Sequence, residues 1–252
     1  MSSVWLVNLP TIPYADALAL QHRLVAARKR GELNDTLLLL EHPPVFTLGR
    51  NARDEHILAP REFLDQIGIE VFRVERGGDV TYHGPRQLVG YPILDLHHFR
   101  LDIGWYVRAL EDVLMRTLQS FGLDARRVGD NGGPRDPKLV GVWVNNPVTE
   151  EFARRAQPDA KIAQIGARIE SWITYHGFAL NVDPIMEHFD LIVPCGIPDK
   201  PVTSMARALN ASVEMDVVRA EVARQFENVF DVQLEEISLA ELEQRLAAKI
   251  AA

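Results

Sequence analysis

Apolar residues fall at two spacings along the chain, and each change of spacing marks an element. Val4 to Leu9 is an apolar run closed by Pro10 and Pro13, which predicts a first strand. From Tyr14, the positions Ala17, Leu18, Leu20, Leu24, Val25 and Ala27 recur with helical spacing as far as Gly31, a residue suited to a helix C-cap. Thr36–Glu41 is four leucines between polar ends and predicts a strand buried on both faces; Val45–Gly49 resumes extended structure after His42-Pro43-Pro44. A short helix over Arg61–Gln66, a strand over Glu70–Val74 and a buried strand over Leu88–Leu94 follow. Trp105–Phe121 carries the clearest amphipathic pattern, with Val107, Leu110, Val113, Leu114, Leu118 and Phe121 on one side and Gly122 as its stop.

Beyond that helix the pattern predicts short strands at Leu139–Val144, Ala160–Ile165, Arg168–Thr174 and Phe178–Asn181. Helix resumes from Thr203, and two closing helices are expected over Val213–Phe230 and Leu239–Ile250. Gly129–Pro137 and Asn145–Asp159 are expected as loops or insertions. Strands and helices mix without regular βαβ alternation, so the expected fold class is α+β, an α/β sandwich with a mixed β-sheet and packed helices. No linker divides the chain, which is expected to be one catalytic-sized domain over residues 1–252 with C-terminal helices after about 210.

Composition narrows the function classes. The formal net charge of −8 over 252 residues argues against nucleic-acid binding, which needs a basic face to displace phosphate counterions. No run reaches a membrane span, no export signal opens the chain and there is no second cysteine for a disulfide, so a cytoplasmic protein with no membrane association is expected. Arg73, Arg76 and Arg86 are a candidate local patch for an acidic partner. The eight histidines show no metal-ligand spacing, so no metal is expected.

Cys195 is the only cysteine and sits at a sharp turn in Val193-Pro194-Cys195-Gly196. A lone thiol is either inert packing or covalent chemistry, and by itself it distinguishes neither. The run Glu75-Arg76-Gly77-Gly78-Asp79-Val80-Thr81-Tyr82-His83-Gly84-Pro85 is the second candidate. Its paired glycines let backbone N–H groups approach a ligand, and Arg76 and His83 add a cation and a titratable donor, although the glycines alone favour a plain hairpin turn. Lys161 lies in the apolar stretch Ala160–Ile165, where an ammonium shielded from water could pair with or deprotonate a thiol; an edge-strand lysine facing water is the alternative.

Taken together these blocks resemble the lipoyl(octanoyl) transferase family. The resemblance is carried in order by His42-Pro43-Pro44-Val45-Phe46-Thr47-Leu48-Gly49, Arg76-Gly77-Gly78 through Thr81-Tyr82-His83-Gly84-Pro85, Lys161-Ile162-Ala163 with Ile165-Gly166, His176-Gly177-Phe178-Ala179-Leu180-Asn181, and Pro194-Cys195-Gly196-Ile197. It covers roughly residues 4 to 210. It implies the fold of biotin and lipoate protein ligases, and an acyltransferase that passes octanoyl from acyl carrier protein to a lysine of lipoyl domains. Those domains are the ones of 2-oxoacid dehydrogenase complexes and the glycine cleavage H protein.

The resemblance further implies that Cys195 carries the acyl group, that Lys161 lowers the pKa of its thiol, and that no cofactor such as ATP is needed. It puts substrate binding on Arg76, Gly77, Gly78, Asp79, Val80, Thr81, Tyr82 and His83, on Gln164, Ile165 and Gly166, and on Gly177, Phe178 and Ala179. Val80, Tyr91, Ile165 and Phe178 are candidates for an acyl slot, and backbone N–H groups at Gly77, Gly78 or beside Cys195 for an oxyanion site. The chain departs from the family at Arg86, where His-Gly-Pro-Gly-Gln is usual, and its 145–159 connection is longer. The competing readings are an ATP-dependent lipoate or biotin ligase and a non-catalytic acyl-protein binding module. A papain-like hydrolase is disfavoured because Val193-Pro194-Cys195-Gly196 lacks that family's flanking residues.

Overall fold

The computed structural model describes residues 2–128, 139–145, 159–196 and 201–250. The expected loop Gly129–Pro137, most of Asn145–Asp159, and Ile197 of the cysteine motif lie outside the described residues. The chain begins with β1 (Ser2–Thr11), α1 (Tyr14–Lys29), β2 (Thr36–Glu41), β3 (Val45–Leu48), α2 (Arg61–Gln66), β4 (Glu70–Arg73), β5 (Val80–His83) and β6 (Gln87–Ile93). It continues with α3 (Ile103–Ser120), β7 (Ala125–Arg126), β8 (Val142–Asn145), β9 (Asp159–Glu170) and β10 (Ile173–Asn181). The last elements are α4 (Met205–Leu209), α5 (Met215–Phe230), β11 (Val232–Glu236) and α6 (Leu239–Ile250).

An eight-stranded mixed sheet runs β11-β1-β2-β6-β10-β9-β8-β7, and a second sheet of three strands runs β4-β3-β5. The leucine run of β2 shows why the large sheet needs helices on both faces. Leu37 and Leu39 face one way, into a core built with Leu110, Val113 and Leu114 of α3 and Val218 and Val222 of α5. Leu38 and Leu40 face the other way, against Ala17, Leu20 and Leu24 of α1 and Leu242 and Leu246 of α6. A strand apolar at every position is stable only when both faces are covered. The small sheet has its own core, in which Phe46, Leu48, Val80 and Tyr82 pack on Met186, Phe189 and Ile192.

The α+β class agrees with this architecture, and three local expectations are corrected. Ala160–Ile165, Arg168–Thr174 and Phe178–Asn181 are not three strands but one antiparallel hairpin of β9 and β10, reversing at Ser171 and Trp172, both at positive φ. The glycine-rich segment contains a strand, β5, paired with β3. The C-terminal part is not purely helical, since β11 adds to the sheet edge parallel to β1.

Candidate active site

The three-stranded sheet and β9–β10 of the large sheet enclose a cavity of about 620 Å³. Lys161 enters it from β9 because of a local irregularity. Trp143 of β8 pairs with Lys161 while Val142 pairs with Ala163, so Ile162 is an extra residue in the strand. Such a bulge reverses the alternation of side chains. Lys161 and Gln164, which would otherwise point to opposite faces, therefore both line the cavity.

Lys161 is only 4% exposed, and its Nζ lies 3.3 Å from Cys195 Sγ, in hydrogen-bond contact, and 5.4 Å from the centre of the Trp143 ring. Its backbone is pinned on the far side, where Lys161 N–H donates to Pro201 O and Lys161 O accepts from Thr203 N–H, both at 2.9 Å. Cys195 sits at φ 58° and ψ 15°, in a 3-10 turn over Pro194–Gly196. This left-handed backbone is disfavoured for a residue with a Cβ, and it projects the thiol from the turn toward the ammonium.

The glycine loop is held by Arg76. Its buried guanidinium donates to Thr47 Oγ1 and Thr47 O from one side and to Gly77 O at 2.9 Å from the other. Burial pushes its pKa below the usual guanidinium value, against which Tyr14 and Cys195 act, since a phenolate or thiolate nearby favours the charge. Arg76 thus stands as a second cation in the cavity wall.

The inner wall is aromatic. Tyr14, His83, Tyr91, His176 and Phe178 line it. Behind it, buried His42 donates from Nδ1 to Ile12 O at 2.8 Å and accepts from the Tyr91 hydroxyl at 2.7 Å, the protonation a neutral ring requires. Burial lowers His42 to about 4 and His176 to about 3, and holds His83 well below its ordinary value, with the nearby Arg76 charge adding to its shift. Three uncharged imidazoles and two un-ionised tyrosines make this end of the cavity neutral around pH 7, a surface suited to an alkyl chain.

Of the residues singled out in the sequence, Arg76, Gly77, Gly78, Asp79, Val80, Thr81, His83, Lys161, Gln164, Ile165, Gly166, Gly177, Phe178, Ala179 and Cys195 all line this one cavity, as does Tyr91. Tyr82 does not: it packs edge-on against Phe46 and Phe189 in the small sheet's core, and His188 Nδ1 lies 2.9 Å from its hydroxyl. Two expected oxyanion donors are already used, Gly77 N–H on Ala167 O at 3.1 Å and Gly196 N–H on Val193 O at 2.9 Å, whereas Gly78 N–H makes no such backbone bond among the described residues. Arg73, Arg76 and Arg86 form no common patch. Arg73 pairs with Asp54, Arg76 is buried, and Arg86 reaches Val213 O at 2.9 Å.

Spacing alone gave no sign of Gly141, Arg53 or His56. A Cβ on Gly141 would meet Ala163 O at 2.5 Å, and its φ of +129° suits glycine, so this position leaves room for the lysine stem. Arg53 and His56 also line the cavity.

Residues 13–227 match the family described as the lipoyl protein ligase A/B catalytic domain. The chain belongs to this family. Within it, an octanoyltransferase from Solibacter usitatus is 47% identical over 234 residues, 93% of this chain and 96% of that protein. An octanoyltransferase from Caldicellulosiruptor saccharolyticus is 44% identical over 243 residues, 96% of this chain and 95% of the other. Among solved structures, a lipoate protein ligase A bound with ATP shares the fold with a TM-score of 0.69 at 17% identity, covering 99% of this chain and 93% of that one. A structure described as a bipartite lipoate protein ligase and its E2 lipoyl domain, from Thermoplasma acidophilum, gives 0.71 at 19%, covering 99% and 92%. At these identities the two solved structures speak for the fold alone.

Proposed function

We propose that this acyltransferase moves an octanoyl group from acyl carrier protein, through a thioester on Cys195, to a lysine of a lipoyl domain. The observation that carries the reading is the 3.3 Å contact between Lys161 Nζ and Cys195 Sγ inside a cavity with a neutral, partly apolar end. The relatives' names favour octanoyl transfer over ATP-dependent ligation, and over a binding module without catalysis. The cytoplasm, where both protein substrates would be met, is the proposed site of the reaction; among the described residues no helix is long and apolar enough to cross a membrane.

The steps follow from the geometry. Cys195 thiolate, stabilised by the Lys161 and Arg76 charges, attacks the thioester carbonyl, with Gly78 N–H the candidate donor to the oxyanion. The carbon–sulfur bond to the carrier then breaks, and the released phosphopantetheine thiolate takes the ammonium proton of Lys161, which leaves that amine neutral. One thioester replaces another of similar energy, so no nucleotide is required. The amine of the acceptor lysine next attacks the Cys195 thioester; an amide forms, the Cys195–carbonyl bond breaks, and neutral Lys161 takes the amine proton.

The test is to mix the full chain with octanoyl-acyl carrier protein and measure intact and peptide masses. An octanoyl adduct on Cys195 is expected, followed by ATP-independent transfer to an apo lipoyl domain. Folded protein that forms no adduct would sink the thioester route, and transfer only with ATP would restore the ligase reading.

A further inference from the structure

A polar chain stands behind the nucleophile's turn. Arg53 donates from Nη2 and Nε to His56 Nε2, at 3.0 and 3.2 Å. A guanidinium has donors only, so Nε2 must be the unprotonated nitrogen and the ring proton sits on Nδ1. That proton is donated to Asp79 Oδ1 at 2.6 Å, an oxygen that also accepts Val80 N–H at 2.7 Å. The second carboxylate oxygen abuts the turn: a Cβ on Gly196 would lie 2.6 Å from Asp79 Oδ2 and 3.3 Å from His56 Cε1.

His56 grips the same turn with its backbone. Its carbonyl accepts Val193 N–H at 2.8 Å, Ile57 bridges Ile192, and Leu58 N–H donates to Leu191 O at 2.9 Å. Cys195 and Gly196 are consecutive left-handed residues, φ 58° and 68°. For Cys195 this conformation is disfavoured and persists only when neighbouring structure enforces it. Arg53, His56 and Asp79 stand where such enforcement would come from, and Arg53 is itself held on the solvent side by Glu55 at 2.8 Å.

We propose that Arg53, His56 and Asp79 form a positioning chain that holds the Cys195–Gly196 turn in attack geometry, with His56 the central positioning residue of acyl transfer. This rests on Cys195 being the acyl carrier. His56 is not a base here, because its free nitrogen is occupied by Arg53, and its effect passes through Asp79 and the turn.

The experiment uses the full chain and quenched-flow mass measurement of the Cys195 adduct over a range of octanoyl-acyl carrier protein concentrations. His56→Ala is expected to lower the maximal acylation rate about tenfold or more, as small misplacements of a reacting group do, with half-saturation unchanged within about twofold. His56→Asn, whose amide nitrogen can take the place of Nδ1, is expected to recover the rate to within about threefold of wild type. Asp79→Ala is expected to match His56→Ala, and the double variant to be no slower than either, the non-additivity of a shared pathway. Arg53→Met, at the exposed end, keeps the question answerable if the buried variants unfold: it is expected to slow acylation about threefold at unchanged melting temperature.

A wild-type maximal rate in folded His56→Ala or in Arg53→Met, a change confined to half-saturation, or multiplying effects of His56→Ala and Asp79→Ala would overturn the positioning chain. Absence of any adduct in the wild type is a different failure. It would remove the Cys195 carrier reading, and the chain's role with it.

Discussion

Gly141 and Lys161 meet so closely that a methyl group on the glycine would come within 2.6 Å of the lysine's Cε. The Lys161 ammonium is therefore placed by an absence of side chain at the bend that leads into β8. Gly141→Ala is expected to push Lys161 away from Cys195 and to lower the acylation rate about tenfold to a hundredfold, on the scale of misplaced catalytic groups. Quenched-flow adduct formation would measure this. A wild-type rate would mean that the strand yields instead of the lysine.

Lys161→Ala removes the charge at Cys195. Iodoacetamide alkylation at neutral pH is expected to slow about tenfold, and overall octanoyl transfer by about a hundredfold or more, the range for losing a positioned acid–base group. Circular dichroism should be unchanged. An alkylation-versus-pH curve that overlays wild type would strip Lys161 of the role.

Arg86 takes φ 65°, a backbone that suits glycine, and its N–H donates to Glu41 Oε2 at 2.6 Å while its guanidinium reaches Val213 O. Comparing two truncations isolates the backbone cost. Arg86→Gly is expected to be more stable than Arg86→Ala by about 1 kcal/mol, which is about 2–4 °C in melting temperature for a chain of this size. Equal melting temperatures would show that the turn is unstrained.

Acid should destabilise the fold through its buried neutral histidines. Native His42 titrates at about 4 and an unfolded histidine near 6.5, so below that upper value the unfolded state binds a proton the native state refuses. The stability His42 contributes is complete above about pH 6.5 and is lost as pH falls toward 4, reaching on the order of 3 kcal/mol. Melting temperature is expected to drop across that interval, and less steeply in His42→Gln. Parallel pH curves for the two proteins would contradict the assignment.

How much of this could be read from the sequence depended on whether the information was local. The α3 helix (Ile103–Ser120) and the buried β2 strand (Thr36–Glu41) declare themselves because periodicity is a property of adjacent residues. The β9–β10 hairpin did not, since its reversal at Ser171-Trp172 lacks the glycine or asparagine that usually marks positive φ. Strand β11 was hidden by its polar, half-exposed edge character. In the site, Cys195, Lys161 and the glycine loop were legible through ordered motifs. Tyr82 sat inside one of those motifs and yet faces the small sheet's core, because a strand sends alternate side chains to opposite sides. Gly141 and His56 become visible only once distant segments are brought within contact, which no spacing along the chain encodes.

The two reacting groups also belong to different halves of the architecture. Lys161 is carried by the large sheet, while the Cys195 turn is strapped to the small one through His56 and Asp79. Reactivity is therefore an emergent property of docking. On the proposed mechanism, a chain caught midway through folding displays a thiol without its ammonium, and attacks thioesters no faster than a free cysteine until assembly is finished.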